Sequence, residues 1–445
     1  MSNKLRKTLG LGSAVAITAG GVIGSGIFLK PWEVAQYLPD PISVLLCWIG
    51  VGLVCLCGGF AYAELGTMFP QAGGQYAFLR EGWGSFVAFL YGWCLLLVIN
   101  SGSIAALSVA FSTSLQTLLP MSNWMQIGAS VGMILLLAIT NHFGVQWGAL
   151  LQNISTGAKL TALGGIVMAG VFAGHTEHSG DFFLVQKSSQ VSDWKMGVVA
   201  AAVAIFWAYE GWHQLSFSAA ELKNPKRDLP RGFIGGVIIL ILTYCAVNAV
   251  YMYMVPIQEM RGLSQNILVP KLTIERIFGP SSGNWLAVLI CLSVFGAANI
   301  NLLSTPRAFF AMAKDGLIFK AMDFIHPVYK TPTVAIWTQA IWAILLVIVL
   351  KNFKDITEYV IFSALIFYGL TVAVLYILRW KLPYHPRPFS CIGYPWTPAI
   401  FIGVVVFVNV YTLANPDKRF NALMGLIILA MGVPFYLWIR LKRKY

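Results

Sequence analysis

The sequence predicts an all-α polytopic membrane protein with twelve transmembrane helices. Three observations carry that prediction. Apolar residues make up 58% of the 445 positions and charged residues only 11%, against about 25% charged in a soluble globular chain. Apolar runs recur twelve times along the chain, and most reach the length of about 20 residues that a helix needs to cross the hydrocarbon core. The 30 basic and 17 acidic residues sit mainly in short strips between those runs. An ordinary soluble enzyme is excluded, because so few charges cannot solvate a surface of this size. A disordered chain would be poor in aromatics and β-branched residues, and a β-barrel would show short alternating segments. A nucleic-acid binder would gather the net charge of +13 into basic patches on a polar surface.

The runs lie at about 11–37, 41–68, 86–118, 124–140, 147–173, 196–220, 231–254, 283–313, 334–350, 356–379, 396–414 and 420–440. With the N-terminus inside, 19 bases fall on the cytoplasmic side and 9 outside, and Lys30 and Lys159 lie within spans. That bias follows the positive-inside rule. An even number of spans places both termini in the cytoplasm of a cell-membrane protein. The first run is too long for a signal-peptide core and lacks a small-residue cleavage site. The whole chain, 1–445, reads as one membrane domain. Its larger loops fall at about 69–85, 174–195, 255–282, 314–333 and 380–395, with a short helix expected around Lys271 to Phe278.

Six of the seven cysteines lie inside apolar runs and Cys391 falls in a loop, so a disulfide framework is not expected. The six histidines are scattered. His175 and His178 form a weak outer-loop pair with no third ligand nearby. No metal site and no cofactor are expected.

Two places break the helical pattern. Gly20-Gly21-Val22-Ile23-Gly24-Ser25-Gly26-Ile27-Phe28 concentrates glycines in the first run, where the backbone can leave the helical ladder. Such a break within a membrane is tolerated only where it lines a cavity or is buried in protein. The competing reading is a tight packing face, since Gly20 and Gly24 have the Gly-xxx-Gly spacing. The sixth run carries Phe206-Trp207-Ala208-Tyr209-Glu210-Gly211-Trp212-His213-Gln214. Glu210 needs water, a partner or a proton there, because a charge near the bilayer centre is costly under every estimate. Breaks at similar depth in the first and sixth spans point to an inverted repeat of five helices plus five, with substrate held at the two interruptions. Freed N–H groups suit a carboxylate and freed carbonyls suit an ammonium, a combination that matches a zwitterionic α-amino acid.

On these residues the sequence resembles the amino acid–polyamine–organocation (APC) superfamily, and most closely its L-amino acid transporter (LAT) branch in bacterial form. The matching pieces are Gly21 to Phe28 with Pro31; Tyr62-Ala63-Glu64-Leu65-Gly66 with Phe69-Pro70 and Gly73-Gly74; Trp207-Ala208-Tyr209 and Gly211-Trp212; Ala220-Glu221; Asn224 to Pro230; and Asn299, Arg307 and Ala313-Lys314-Asp315-Gly316. The resemblance implies a LeuT-like fold. Helices 1–5 would span about 11–173, helices 6–10 about 196–379, and helices 11–12 about 396–440 would lie outside the repeat. It implies that Ser25, Gly26 and Ile27 meet the substrate carboxylate, that Ile23 offers a carbonyl near the amine, and that Trp207 lids the site beside Ala208 and Gly211. A packing aromatic is the plainer reading of Trp207. It also implies that Lys159 reaches the unwound first helix near the place where sodium-coupled relatives hold a cation, tethering helix 5 to helices 1 and 8. A proton site is the alternative for Lys159.

The chain departs from that family at two points. Relatives usually keep a small residue where Glu210 stands. Glu210 reads as the counter-charge of a basic side chain, a proton carrier, a partner of His213, or an acid satisfied by loop carbonyls. Ile300 follows Asn299 where the family often has glycine, which either narrows the pocket or repacks helix 8. Glu64, Arg80, Glu81, Glu221, Lys223, Arg227 and Asp228 read as inner-face ion pairs or as plain charged termini. The loop from Leu119 to Trp124 has no cysteine, so no disulfide-linked heavy subunit is expected. The leading function is a sodium-independent exchanger of neutral L-amino acids. A cationic amino acid or polyamine carrier and a proton-coupled symporter are the alternatives. No catalytic residue is read, because no clustered nucleophile, base and oxyanion set is found, and an ion channel would need filter or pore rings. The partners expected are the amino acid and the lipid bilayer, with no nucleic acid.

Overall fold

In a computed structural model, residues 7–71, 73–173, 194–264, 268–350 and 353–442 are described, and all of their regular elements are helical. The His175–His178 pair lies outside the described residues. The first run is three pieces: α1 (Leu11–Val22), α2 (Gly26–Leu29) and α3 (Pro31–Tyr37). Ile23 leaves the helix at φ −66°, ψ +91°. α4 (Pro41–Met68) starts at an Asp40 cap that trades hydrogen bonds with Ser43, with Pro41 in the first turn.

The loop expected at 69–85 contains a helix, α5 (Gln75–Trp83), entered through Gly73 and Gly74 at φ +114° and +49°. Nine amphipathic residues leave no long apolar run to read. α6 (Ser85–Cys94) continues through a π turn at Leu95–Ile99 into α7 (Asn100–Gln116). Next come α8 (Asn123–His142) and α9 (Val145–Phe172). α10 (Trp194–Ala208) ends in a turn, Gly211 adopts φ +109°, and a 3-10 segment runs from Trp212 to Glu221.

α11 (Pro225–Met254) begins six residues before the expected 231, because Pro225 fits its first turn and Asp228 meets the positive end of its dipole. The outer loop holds α12 (Ile257–Gly262) and α13 (Val269–Phe278), the second close to the expected short helix. The eighth run divides at Thr305 into α14 (Gly283–Ser304) and α15 (Pro306–Lys314). α16 (Thr333–Leu350), α17 (Phe353–Lys381), α18 (Trp396–Ala414) and α19 (Pro416–Lys442) complete the chain.

Among the described residues, ten helices are long and apolar enough to cross a membrane. The protein is therefore a multi-pass membrane protein with one discontinuous helix. The sixth and ninth runs are represented by shorter apolar helices, Trp194–Ala208 and Thr333–Val349. The broken helix is central: α1 packs on α9, α11 and α14, and α7 packs on α14. Large apolar side chains are exposed at Trp124, Trp147, Phe172, Trp285 and Trp396. All seven cysteines are free thiols.

Candidate functional site

The break at Ile23–Ser25 borders a small cavity of ≈ 30 Å³. Gly21, Val22, Gly24, Ser25 and Gly26 form one wall. Trp207, Glu210, Gly211 and Gln214 come from α10 and the segment after it, Ser103 and Leu107 from α7, and Ala297 and Asn301 from α14. Close approach explains two of the glycines. A Cβ on Gly26 would lie 2.4 Å from the Ala208 Cα, and one on Gly211 would lie 3.1 Å from the Gly21 carbonyl oxygen. The break in the first run and the turn after α10 therefore approach backbone to backbone. The first N–H groups of the second half-helix have no acceptor within that helix, and its N-terminus opens beside the cavity.

Trp207 is buried and donates from Nε1 to Ser25 Oγ at 3.3 Å. It lines this cavity and also a second one, of ≈ 20 Å³, that is bordered by the Lys30–Glu33 ion pair. The indole is thus a partition between the two spaces. On the opposite side, Gln214 Nε2 donates to Asn301 Oδ1 at 2.7 Å, Thr305 Oγ1 donates to Gln214 Oε1 at 3.3 Å, and Asn100 Nδ2 donates to Thr305 Oγ1. These amides and hydroxyls join α7, α14 and the segment after Gly211 into a polar floor.

Below that floor the structure is closed on the side that carries the N-terminus. Arg307 clamps Glu221 through Nε and Nη2, both at 3.1 Å, and both side chains are buried. The Glu221 carbonyl accepts from the Thr8 and Leu9 amides, and Lys223 N donates to Leu9 O. Asp315 accepts from Tyr76 and Arg80, and buried Glu64 is paired with Arg379 and Arg387. Arg227 reaches only its neighbour Asp228 among the described ion pairs.

A sequence profile of amino acid permeases matches residues 9–433. The chain is 33% identical to the serine/threonine exchanger SteT of Bacillus subtilis (strain 168), over 99% of this chain and 98% of that protein. It is 31% identical to the human large neutral amino acids transporter small subunit 2, over 97% of this chain and 80% of the relative. It is 29% identical to the human b(0,+)-type amino acid transporter 1, over 98% and 88%. The chain belongs to the amino acid permease family. Its relatives put this permease in the LAT branch of the APC superfamily.

Of the residues singled out in the sequence, Ser25, Gly26, Trp207, Glu210 and Gly211 line the cavity of this permease. Ile23, Ile27 and Ala208 are fully buried outside its lining. The Ile23 carbonyl is occupied: it accepts from Lys159 Nζ at 2.7 Å and from Ser293 Oγ at 3.4 Å. Lys159 Nζ also donates to Gly20 O at 3.0 Å, so this buried ammonium ties α9 to the end of α1. Gly21 and Val22, just before Ile23, are among the residues that line the cavity. Ile300 packs on Gly21, where an added Cβ would lie 2.9 Å from Ile300 Cγ2. Asn299 points away from the cavity, bonding Asn141, Gly148 and Gln152.

Glu210 is joined to Tyr368 of α17, whose hydroxyl donates to Oε1 at 2.5 Å. That hydroxyl also lies 3.5 Å from His213 Nε2, so the tyrosine stands between the two residues the sequence considered as a direct pair. Sequence reasoning missed Tyr368, Ser103, Gln214 and Asn301. The available signal was polarity inside apolar runs, which does not tell which face of a helix meets the break. Among the described residues no cluster suited to a metal ion occurs.

Proposed function

We propose that this amino-acid transporter is a sodium-independent exchanger of neutral L-amino acids that works by alternating access. The observation that carries the reading is the break at Ile23–Ser25, set against Ala208–Gly211 and bordering a cavity. Main-chain N–H groups at Ser25, Gly26 and Ile27 are suited to a substrate carboxylate. The Gly21 carbonyl is suited to the amine, since that of Ile23 holds Lys159 and that of Val22 accepts from the Tyr244 hydroxyl at 3.3 Å. Trp207 acts as the lid between the cavity and the outer space. Sodium independence is supported by Lys159, whose ammonium already sits on the Gly20 and Ile23 carbonyls and would repel a second cation there.

The same reading takes the chain as a single domain in a five-plus-five, twelve-helix arrangement, with repeats over about 11–173 and 196–379 and helices 11 and 12 over about 396–440. Both termini are placed in the cytoplasm, and no disulfide-linked heavy subunit is required. Glu210 in the cavity wall favours one second reading, a carrier of cationic amino acids or polyamines. Binding to the purified protein tests the assignment. Labelled alanine should be displaced by unlabelled serine or alanine, and at least tenfold less well by analogues lacking the carboxylate or the amine. Equal displacement by the truncated analogues would remove the role given to the break. Stronger displacement by lysine or arginine would favour the second reading.

A further inference from the structure

Glu210 is the one charged group in the cavity wall among the described residues, and no cation among them is paired with it. The titratable groups around it are uncharged in character: Tyr368 on α17, Cys55 and Tyr62 on α4, Tyr91 on α6, and His213 just beyond Gly211. A carboxyl group in this setting calls for either a cationic ligand or a proton.

The surroundings of Glu210 favour the proton. Its Oε1 holds the Tyr368 hydroxyl at 2.5 Å, and Tyr368 lies 3.5 Å from His213 Nε2. His213 is fully buried, and its Nδ1 has no partner among the described residues. Ser216 follows three residues later on the 3-10 segment, so the two side chains lie on one face. The Ser216 hydroxyl is also buried without a partner, and it abuts Gly74, where an added Cβ would lie 2.7 Å from Ser216 Oγ. The next residue, Gln75, accepts from Tyr91 at 2.9 Å through Oε1 and leaves Nε2 unpartnered. Tyr76 then joins the Asp315–Arg80 ion pair on the N-terminal side. A row of unpartnered polar atoms thus leads from Glu210 away from the cavity, and recognition of a basic side chain gives no account of it.

We propose that Glu210 carries a proton in the transport cycle, taken up at the cavity and released toward the N-terminal side through Tyr368 and His213. The permease then moves a proton together with its amino acid. In the release step the Glu210 O–H bond breaks and its proton passes to the Tyr368 oxygen. The Tyr368 hydroxyl proton moves to His213 Nε2, and the imidazole gives up a proton from Nδ1 to water. Glu210 is left as the carboxylate, and Tyr368 and His213 end neutral.

This proposal rests on the carrier reading above, and its test separates the two. Proteoliposomes containing the full chain and a trapped pH-sensitive dye receive labelled alanine under an inward proton gradient, and acidification and alanine uptake are read together. The expected result is lumen acidification near one proton per alanine. Glu210→Gln should lower that ratio at least fivefold, and Glu210→Asp, which keeps a carboxyl group, should restore it. Net alanine uptake into unloaded vesicles with no acidification, or no such uptake beside robust counterflow, overturns the proton role and leaves the carrier standing. Absence of counterflow with every amino acid tried overturns the carrier reading itself. Preferential flux of arginine or lysine that Glu210→Gln abolishes assigns Glu210 to side-chain recognition and also overturns the proposal. If the glutamine variant does not fold, the wild-type proton-to-alanine ratio decides alone.

Discussion

Removing the Arg307 side chain should open the N-terminal side of the permease. Arg307 holds Glu221 through two bonds of 3.1 Å, with both side chains almost wholly buried. Breaking a buried pair by deleting one partner costs about 3–5 kcal/mol, because the remaining charge is left unpaired. The strain is relieved if the segment around Glu221 moves into water. At about 1.4 kcal/mol per decade, an Arg307→Ala change should shift the closed-to-open equilibrium by about 10²–10⁴. The reporters are built in: the Thr8 and Leu9 amides bond Glu221 O at 3.0 Å, and the Lys223 amide bonds Leu9 O at 2.8 Å. Hydrogen exchange of the purified protein should show these amides exchanging at least about 100-fold faster in Arg307→Ala, since exchange reads local opening. Arg307→Lys keeps the charge but loses the two-point contact, and should fall between. Unchanged protection of Leu9 and Lys223 in Arg307→Ala would refute the claim that this pair holds the closure.

Other expectations follow from single contacts. Lys159→Met strips two charge-assisted bonds from the Gly20 and Ile23 carbonyls; at about 1.5–3 kcal/mol each, it should lower the melting temperature in detergent and reduce alanine counterflow at least tenfold. Gly211→Ala forces a side chain into φ +109° and to 3.1 Å from the Gly21 carbonyl, so a loss of about 1–2 kcal/mol is expected, seen as a lower melting temperature. Trp207→Ala removes the partition between two cavities and should weaken apparent alanine affinity by tenfold or more in uptake assays. Burial pushes the loop thiol Cys391 up to about 11. Since the thiolate is the reactive form, its maleimide labelling should be slow at pH 7 and rise steadily as the pH approaches that value, as followed by peptide mass spectrometry.

Much of the fold could be read because bilayer spans are long and apolar. The runs at 41–68 and 396–414 coincide with α4 and α18. What escaped was short or polar. α5 has only nine residues, and the start of α11 was hidden by Pro225 and Pro230, which read as loop signals although the first turn tolerates proline at Pro225. At the site, the glycine cluster and Glu210 were visible because each violates a local rule inside a membrane. Tyr368 and Asn301 violate none, since a tyrosine or an asparagine in a span is unremarkable until the helices are assembled. The contact of Lys159 with the first helix was expected from the family resemblance alone, because Lys159 sits 136 residues from Ile23, a distance that no spacing argument bridges.

The most direct test of the central claim is counterflow in liposomes carrying the purified protein. Labelled alanine or serine is added to vesicles loaded with unlabelled neutral amino acid and to empty ones, in sodium-free buffer. The account predicts strong uptake into loaded vesicles, several-fold weaker uptake into empty ones, and no gain when sodium is added. Uptake that requires sodium, or that ignores what the lumen contains, would contradict it.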